Sequence, residues 1–272
     1  MITDGMSIVQ SYNFWNWWFA NHEALAAKLE GYKWPQPLLI FNQMLHGRTC
    51  PSCHGDQYFH LRQPVRIGSF MISKGYCFCL LLQEMENEFT YKSDYRKEML
   101  KDVVEYGPHA AVTKFIKKEA QSFIQYPSMW YYLYGGFGSG KTKILSAIKT
   151  QLRGLALYIT ASDLNGYVFK ATGERNLDLL IDELSSVPIL LLDDLGTEYS
   201  SPYLYSAMYS IINKRYIKGI DFPLFVTSNL TQNQLMTSSE ENMKRIGTRL
   251  SDVDLVIPLV SKQEDYRRRD IK

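Results

Sequence analysis

Cysteine is scarce in this 272-residue chain, and its four copies all fall between residues 50 and 79. That confinement alone sets the N-terminal third apart from the rest. Net charge is scarce as well. Thirty Lys and Arg against 28 Asp and Glu leave only +2, so bulk electrostatics do not point to nucleic acid and any basic footprint has to be local. No apolar run approaches the ~20 residues of a membrane span, and the N-terminus lacks the basic-apolar-small order of a signal peptide. Low-complexity tracts and repeats are also missing. The expectation is a cytoplasmic globular protein with no membrane partner, and an unglycosylated Asn229-Leu230-Thr231 sequon. The length suits one large or two modest domains. What is plentiful is aromatic: 14%, with 19 Tyr, which implies contact surfaces as well as core.

Residues 1–84 are expected to form an N-terminal domain, helical and aromatic-rich up to residue 49 and compact from 50 onward. The cluster Phe14, Trp15, Trp17, Trp18 and Phe19 reads either as the core of that small domain or as an anchor for a partner protein. A helical linker is expected over 85–128, with a charged helix from about Glu84 to Glu105, a break at Gly107-Pro108 and a second helix over Val112–Phe123. Residues 129–272 then alternate strand and helix, the pattern of a parallel sheet covered by helices. Strands are predicted over 129–134, 155–160, 188–193, 223–228 and 255–260. Helices are predicted after Gly140 and around 161–171, 177–184, 203–217 and 242–250. The residues beyond the last strand are too few for a separate helical lid.

The strongest motif is Gly135-Gly136-Phe137-Gly138-Ser139-Gly140-Lys141-Thr142, which follows the apolar run Met129 to Tyr134. Glycines at this spacing let backbone N–H groups turn inward around a phosphate, and the following helix N-terminus reinforces that nest. Lys141 can then reach β/γ-phosphate oxygens, while the Thr142 hydroxyl can sit on Mg²⁺. Ile189 to Leu192 is a fully apolar strand ending in Asp193 and Asp194. Ligands sit beyond the carboxyl ends of such strands. Asp193 is thereby placed for the Mg²⁺ shell and Asp194 for the attacking water, with Glu198 a weaker alternative. Asn229 ends the next strand, where its amide can meet a γ-phosphate or that water. Arg245 and Arg249, at i and i+4, share one helix face. They read either as a solvated basic face or as arginines offered to a neighbouring subunit's site.

Taken in order, these motifs resemble the AAA+ ATPases of the DnaC/DnaI helicase-loader group, with the IstB transposition ATPases related. The likeness runs from about 110 to 267 and rests on Gly135–Thr142, Tyr158 to Leu164, Leu192 to Glu198, Ile212 to Tyr216, Thr227-Ser228-Asn229, Arg245…Arg249 and Asp265-Tyr266-Arg267. The resemblance implies a P-loop AAA+ sheet without a large C-terminal lid. It makes Asn229 sensor 1, Arg267 sensor 2, Arg249 an arginine finger acting on a neighbour's ATP, and Arg245 its support. Asp194 stands where many relatives carry Glu, so slow hydrolysis is expected. The resemblance also implies a helical oligomer lining single-stranded DNA, with Phe169, Lys170, Ser201 and Tyr203 as the candidate contacts. A core position is the alternative for Phe169.

Cys50-x2-Cys53 and Cys77-x-Cys79 form two thiol pairs that can surround one Zn²⁺ tetrahedrally. His54 or His60 could replace one of them, Cys77 most readily. The layout of a zinc module ahead of an ATPase resembles DnaI-like loaders, whose N-terminal region docks on the replicative helicase. The expectation is an ATP-dependent loader of a replicative DNA helicase, using ATP, Mg²⁺ and Zn²⁺. The alternatives are an IstB-like ATPase remodelling target DNA and an adaptor with weak ATPase activity.

Overall fold

A computed structural model describes residues 2–3, 58–67, 70–76, 96–105, 107–125, 127, 129–152, 156–187, 189–196, 201–219 and 222–262. The chain divides into two compact units, Met1–Asn87 and Glu88–Lys272.

In the first unit, β1 (Ile2–Thr3), β2 (Tyr58–Ile67) and β3 (Phe70–Tyr76) form a sheet in the order β1-β3-β2. The β2–β3 pair is antiparallel, and its register shifts between His60 and Val65. Pro64 lies inside that irregular stretch, where a strand tolerates a residue without an N–H donor. The sequence reading had only a compact module here and named no strands. Alternation of Phe59, Leu61, Val65 and Ile67 with polar residues was the available signal. The four cysteines, His54 and the Phe14–Phe19 cluster lie outside the described residues, so the zinc expectation is neither met nor opposed.

The second unit is built on five parallel strands, β4 (Trp130–Gly135), β5 (Ala156–Thr160), β6 (Ile189–Leu195), β7 (Leu224–Ser228) and β8 (Val256–Ser261). Their spatial order is β5-β6-β7-β4-β8. Seven helices accompany them: α1 (Ala110–Gln125), α2 (Lys141–Leu152), α3 (Ala161–Gly173), α4 (Leu177–Ser186), α5 (Pro202–Lys218), α6 (Gln232–Met236) and α7 (Glu241–Arg249). Each strand lies within two residues of its predicted limits, because a continuous apolar run has no other stable place than a sheet buried on both faces. All of Trp130 to Leu133 and all of Ile189 to Leu192 are buried.

Packing explains the placement. Phe123 of α1 meets Tyr131 and Phe225 edge-on, with ring centroids 5.5 and 5.3 Å away, and those two rings stack at 5.3 Å. At the amino ends of β6 and β7, the fully buried Arg215 guanidinium donates to the carbonyls of Val187 (2.6 Å), Pro223 (2.6 Å) and Leu184 (3.2 Å). One side chain thus ties the end of α4 to the approaches of β6 and β7. Burial pushes its pKa down to about 9.

The charged helix expected up to Glu105 is not what forms over the described part. Residues 96–105 hold a single 3-10 turn, Leu100–Asp102, flanked by extended Met99 and Val103, and no other regular structure. Tertiary contacts override the local pattern. Lys117 of α1 binds both the Val103 carbonyl and the Glu105 carboxylate at 2.9 Å, and Lys143 of α2 reaches Glu98 at 3.6 Å. Helix α6 was not foreseen either. At five residues it is too short for periodicity to show, and its signal was the capping box Thr231-x-x-Gln234.

Candidate functional site

The centre of the site lies at the carboxyl ends of β4, β6 and β7. The loop leaving β4 turns through positive φ at Gly138 (69°) and Gly140 (85°), conformations that a Cβ disfavours. Gly135 (φ 154°) is needed for a second reason: a Cβ there would meet the Ser261 carbonyl oxygen of β8 at 2.1 Å. Ser261 also donates its hydroxyl to the Ser139 carbonyl at 2.9 Å, so β8 braces the loop from outside. Lys141 then opens α2.

The Lys141 ammonium is buried and donates to the Gly135 and Gly136 carbonyls at 2.9 and 2.8 Å and to Asn229 Oδ1 at 2.8 Å. Burial pulls its pKa down, and the charges of Asp194 and Asp193 oppose that. Asn229, just past β7, is thus linked directly to the loop lysine. Asp193 is 1% exposed. Its Oδ2 accepts from the Tyr158 phenol at 2.7 Å, its Oδ1 accepts a short hydrogen bond from Thr227, and Thr142 Oγ1 lies 3.4 Å from Oδ1. The phenol is pushed well above its ordinary range, chiefly by burial and then by Asp193, so it stays a donor. Asp194 adopts φ 58° and donates its N–H to Thr227 Oγ1 at 3.0 Å. Its carboxyl is pushed up by burial first and by the Asp193 charge second, with Lys141 acting against both.

Lys141, Thr142, Asp194 and Asn229 border a cavity of ≈ 510 Å³, in the size range of small-molecule sites, and Asp193 lies just behind them. Its lining joins Gly138 to Thr142, Asp194 and Asn229 with Phe137, which is 71% exposed, and with Arg96, Glu98, Val103 and Val104. Those last four were missed. They sit in the segment read as helical linker, and only its folding back against α1 and α2 brings an apolar wall to the cavity. An oxygen pair formed by the Thr142 hydroxyl and the Asp193 carboxylate is the hard donor chemistry that suits Mg²⁺.

The remaining candidates lie apart from this cluster. Arg249 donates to Asn213 Oδ1 at 3.1 Å and covers the Tyr216 ring at 4.5 Å; Arg245 pairs with Glu241 at 3.3 Å and covers Tyr209 at 5.5 Å. Both therefore lean on α5, and neither lines the cavity. Phe169 is 83% exposed on α3, which removes the core alternative, and Lys170 beside it is exposed. Tyr203 is 65% exposed in the first turn of α5, behind the N-cap Ser201. Glu198 and Arg267 lie outside the described residues.

No protein-family model matches the chain, and no curated protein matches it. Among solved structures it is similar to DnaI, at 28% identity over 60% of this chain and 90% of that one, with a TM-score of 0.50. It is also similar to the DnaC helicase loader, at 20% identity over 62% of this chain and 99% of that one, TM-score 0.49. Domain III of the Thermotoga maritima replication initiation protein DnaA matches at 20% identity over 59% of this chain and 66% of that one, TM-score 0.49. By strand order, loop geometry and likeness to DnaI, the second unit has the P-loop α/β fold of AAA+ ATPases and is similar to DnaI in both sequence and fold.

Proposed function

We propose that this chain is an ATP-dependent loader of a replicative DNA helicase. The observation that carries the reading is the convergence of Lys141, Thr142, Asp194 and Asn229 on one cavity, with Asp193 hydrogen-bonded to Thr142 just behind its wall, within a domain similar to DnaI. A triphosphate in the loop would draw the Lys141 ammonium from the Gly135 and Gly136 carbonyls to its own oxygens. Thr142 and Asp193 would hold Mg²⁺, which neutralises β- and γ-oxygen charge when bound. Asp194 would orient and polarise the attacking water. Asn229, already bonded to Lys141, would couple the γ-phosphate to the tip of β7.

The two arginines of α7 point onto α5 and away from the chain's own cavity, which suits a role at a neighbour's nucleotide. Arg249 would stabilise charge on the transferred phosphoryl group across the boundary, with Arg245 in support. Self-association is therefore part of the proposal. Phe169, Lys170, Ser201 and Tyr203 would engage single-stranded DNA, exposed aromatics stacking on bases beside a cation for phosphate. The N-terminal region, with Zn²⁺ held by Cys50, Cys53, Cys77 and Cys79, would grip the helicase.

Loading is tested by incubating the purified chain with the replicative helicase of its own cell and closed single-stranded DNA. The reading expects ATP-dependent transfer of helicase onto that DNA, weakened by Tyr203→Ala. A chain that neither binds the helicase nor promotes its transfer contradicts it.

A further inference from the structure

We propose that Tyr158 is a positioning residue that sets the Mg²⁺ affinity of the nucleotide site by fixing the Asp193 carboxylate; the proposal rests on the ATP-binding reading above. Asp193 ends the apolar run of β6 and is buried, so its oxygens must find donors within the protein. Both neighbouring strands supply one. From β5, the Tyr158 hydroxyl donates to Oδ2 at 2.7 Å; from β7, Thr227 donates to Oδ1.

Register makes this possible. Thr160 pairs with Asp193 across β5 and β6, and Tyr158, two residues earlier, shares the face of Thr160. A shorter side chain at 158 would stop short of the carboxylate, whereas the phenol spans the diagonal. With one oxygen pinned from each side, the carboxylate has a single orientation, the one that presents Oδ1 toward Thr142 at 3.4 Å. Thr142 and Asp193 would hold Mg²⁺ through oxygens that this orientation keeps side by side. Outer groups that orient a ligating oxygen typically carry about 10–100-fold in metal affinity. Tyr158, like Asp193, is buried and does not line the cavity, so it acts only through Asp193, whose Oδ1 meets the lining residue Thr142.

The test is the binding of a fluorescent ATP analogue to the full chain, titrated with Mg²⁺ and repeated in EDTA. In Tyr158→Phe the half-saturating Mg²⁺ concentration should rise by roughly tenfold. Affinity in EDTA should stay at the wild-type value, because Lys141 and the loop amides hold the phosphates without metal. Tyr131→Phe is the control: it also loses a phenol, but one bonded to Glu119 at 3.2 Å, and should follow the wild-type Mg²⁺ curve. Thr227→Val, which removes the donor to Oδ1, should shift the curve in the same direction, and Thr227→Ser should restore it. That pair decides the matter if Tyr158→Phe does not fold. A Tyr158→Phe curve that superimposes on wild type, or an affinity loss equal with and without Mg²⁺, overturns the proposal while leaving ATP binding intact. Wild-type protein that binds no analogue takes down the ATP-binding reading, and this proposal with it.

Discussion

Asp194 concentrates the tension between function and stability in one residue. Its folded-state carboxyl is pushed above the ordinary range by burial and by the Asp193 charge, so its ionised form is disfavoured by folding. For an acid with a raised folded pKa, the stabilising contribution is present below the unfolded pKa of about 3.9 and is lost as pH rises through the folded value. Replacing it by Asn removes the charge, and Asn tolerates the left-handed φ of 58°. Asp194→Asn should therefore melt higher than wild type at pH 7 without nucleotide, with the advantage fading as pH approaches 4. Paired melting curves across that range check it. The same variant should retain ATP binding and lose hydrolysis.

Much of this was legible at the residue scale. Lys141 and Thr142 follow from the phosphate-loop spacing, and Asp193, Asp194 and Asn229 from strand-end logic; Lys141 bonds Asn229, Thr142 bonds Asp193, and Asp194 shares the cavity wall with Lys141, Thr142 and Asn229. Tyr158 was quoted only within a motif, because its bond to Asp193 spans 35 positions and depends on inter-strand register. Val103 and Val104 escaped for a related reason. Their charged neighbours, Glu98, Lys101, Asp102 and Glu105, resemble a solvated helix, and only Lys117 and Lys143 reveal that the segment is held against the domain.

Among elements, the short pair α6 and α7 shapes the arginine surface. Gly247 lies where a Cβ would meet the Met236 backbone nitrogen at 2.7 Å and Leu235 Cβ at 2.8 Å. Alanine there improves helix propensity by about 1 kcal/mol. The clash is with backbone that cannot rotate away, and overpacking of this kind costs roughly 1–3 kcal/mol. The cost wins or at best cancels. Gly247→Ala should lower stability by up to about 2 kcal/mol and displace α7 relative to α5. ATP affinity should be unchanged in calorimetry while oligomer-dependent hydrolysis falls, since the Arg249–Asn213 contact sits on that interface and the loop does not. The sequence showed α7 through its charged face and could not show its dependence on α6, whose five residues carry a cap and no period.

For the whole molecule, the division into 1–87 and 88–272 separates a nucleotide unit from one bearing all four cysteines. Among the described residues no helix is long and apolar enough to cross a membrane. The zinc proposal predicts one Zn²⁺ per chain in elemental analysis of the purified protein, lost in Cys50→Ser/Cys53→Ser. An absence of zinc in wild type contradicts it. The proposed role of Arg249 and Arg245 makes a stronger demand on the assembly, because the ATP site would then be completed only by a second copy. Mixing two inactive variants tests that most directly. Asp194→Asn keeps Arg249 but has no working water site, and Arg249→Ala keeps a complete loop but has no finger to offer. ATP hydrolysis should be near background for either alone and reappear when they are mixed, as Asp194→Asn subunits present Arg249 to intact neighbouring loops. A mixture no more active than its components, or an Arg249→Ala protein that hydrolyses like wild type, would contradict a site shared between subunits.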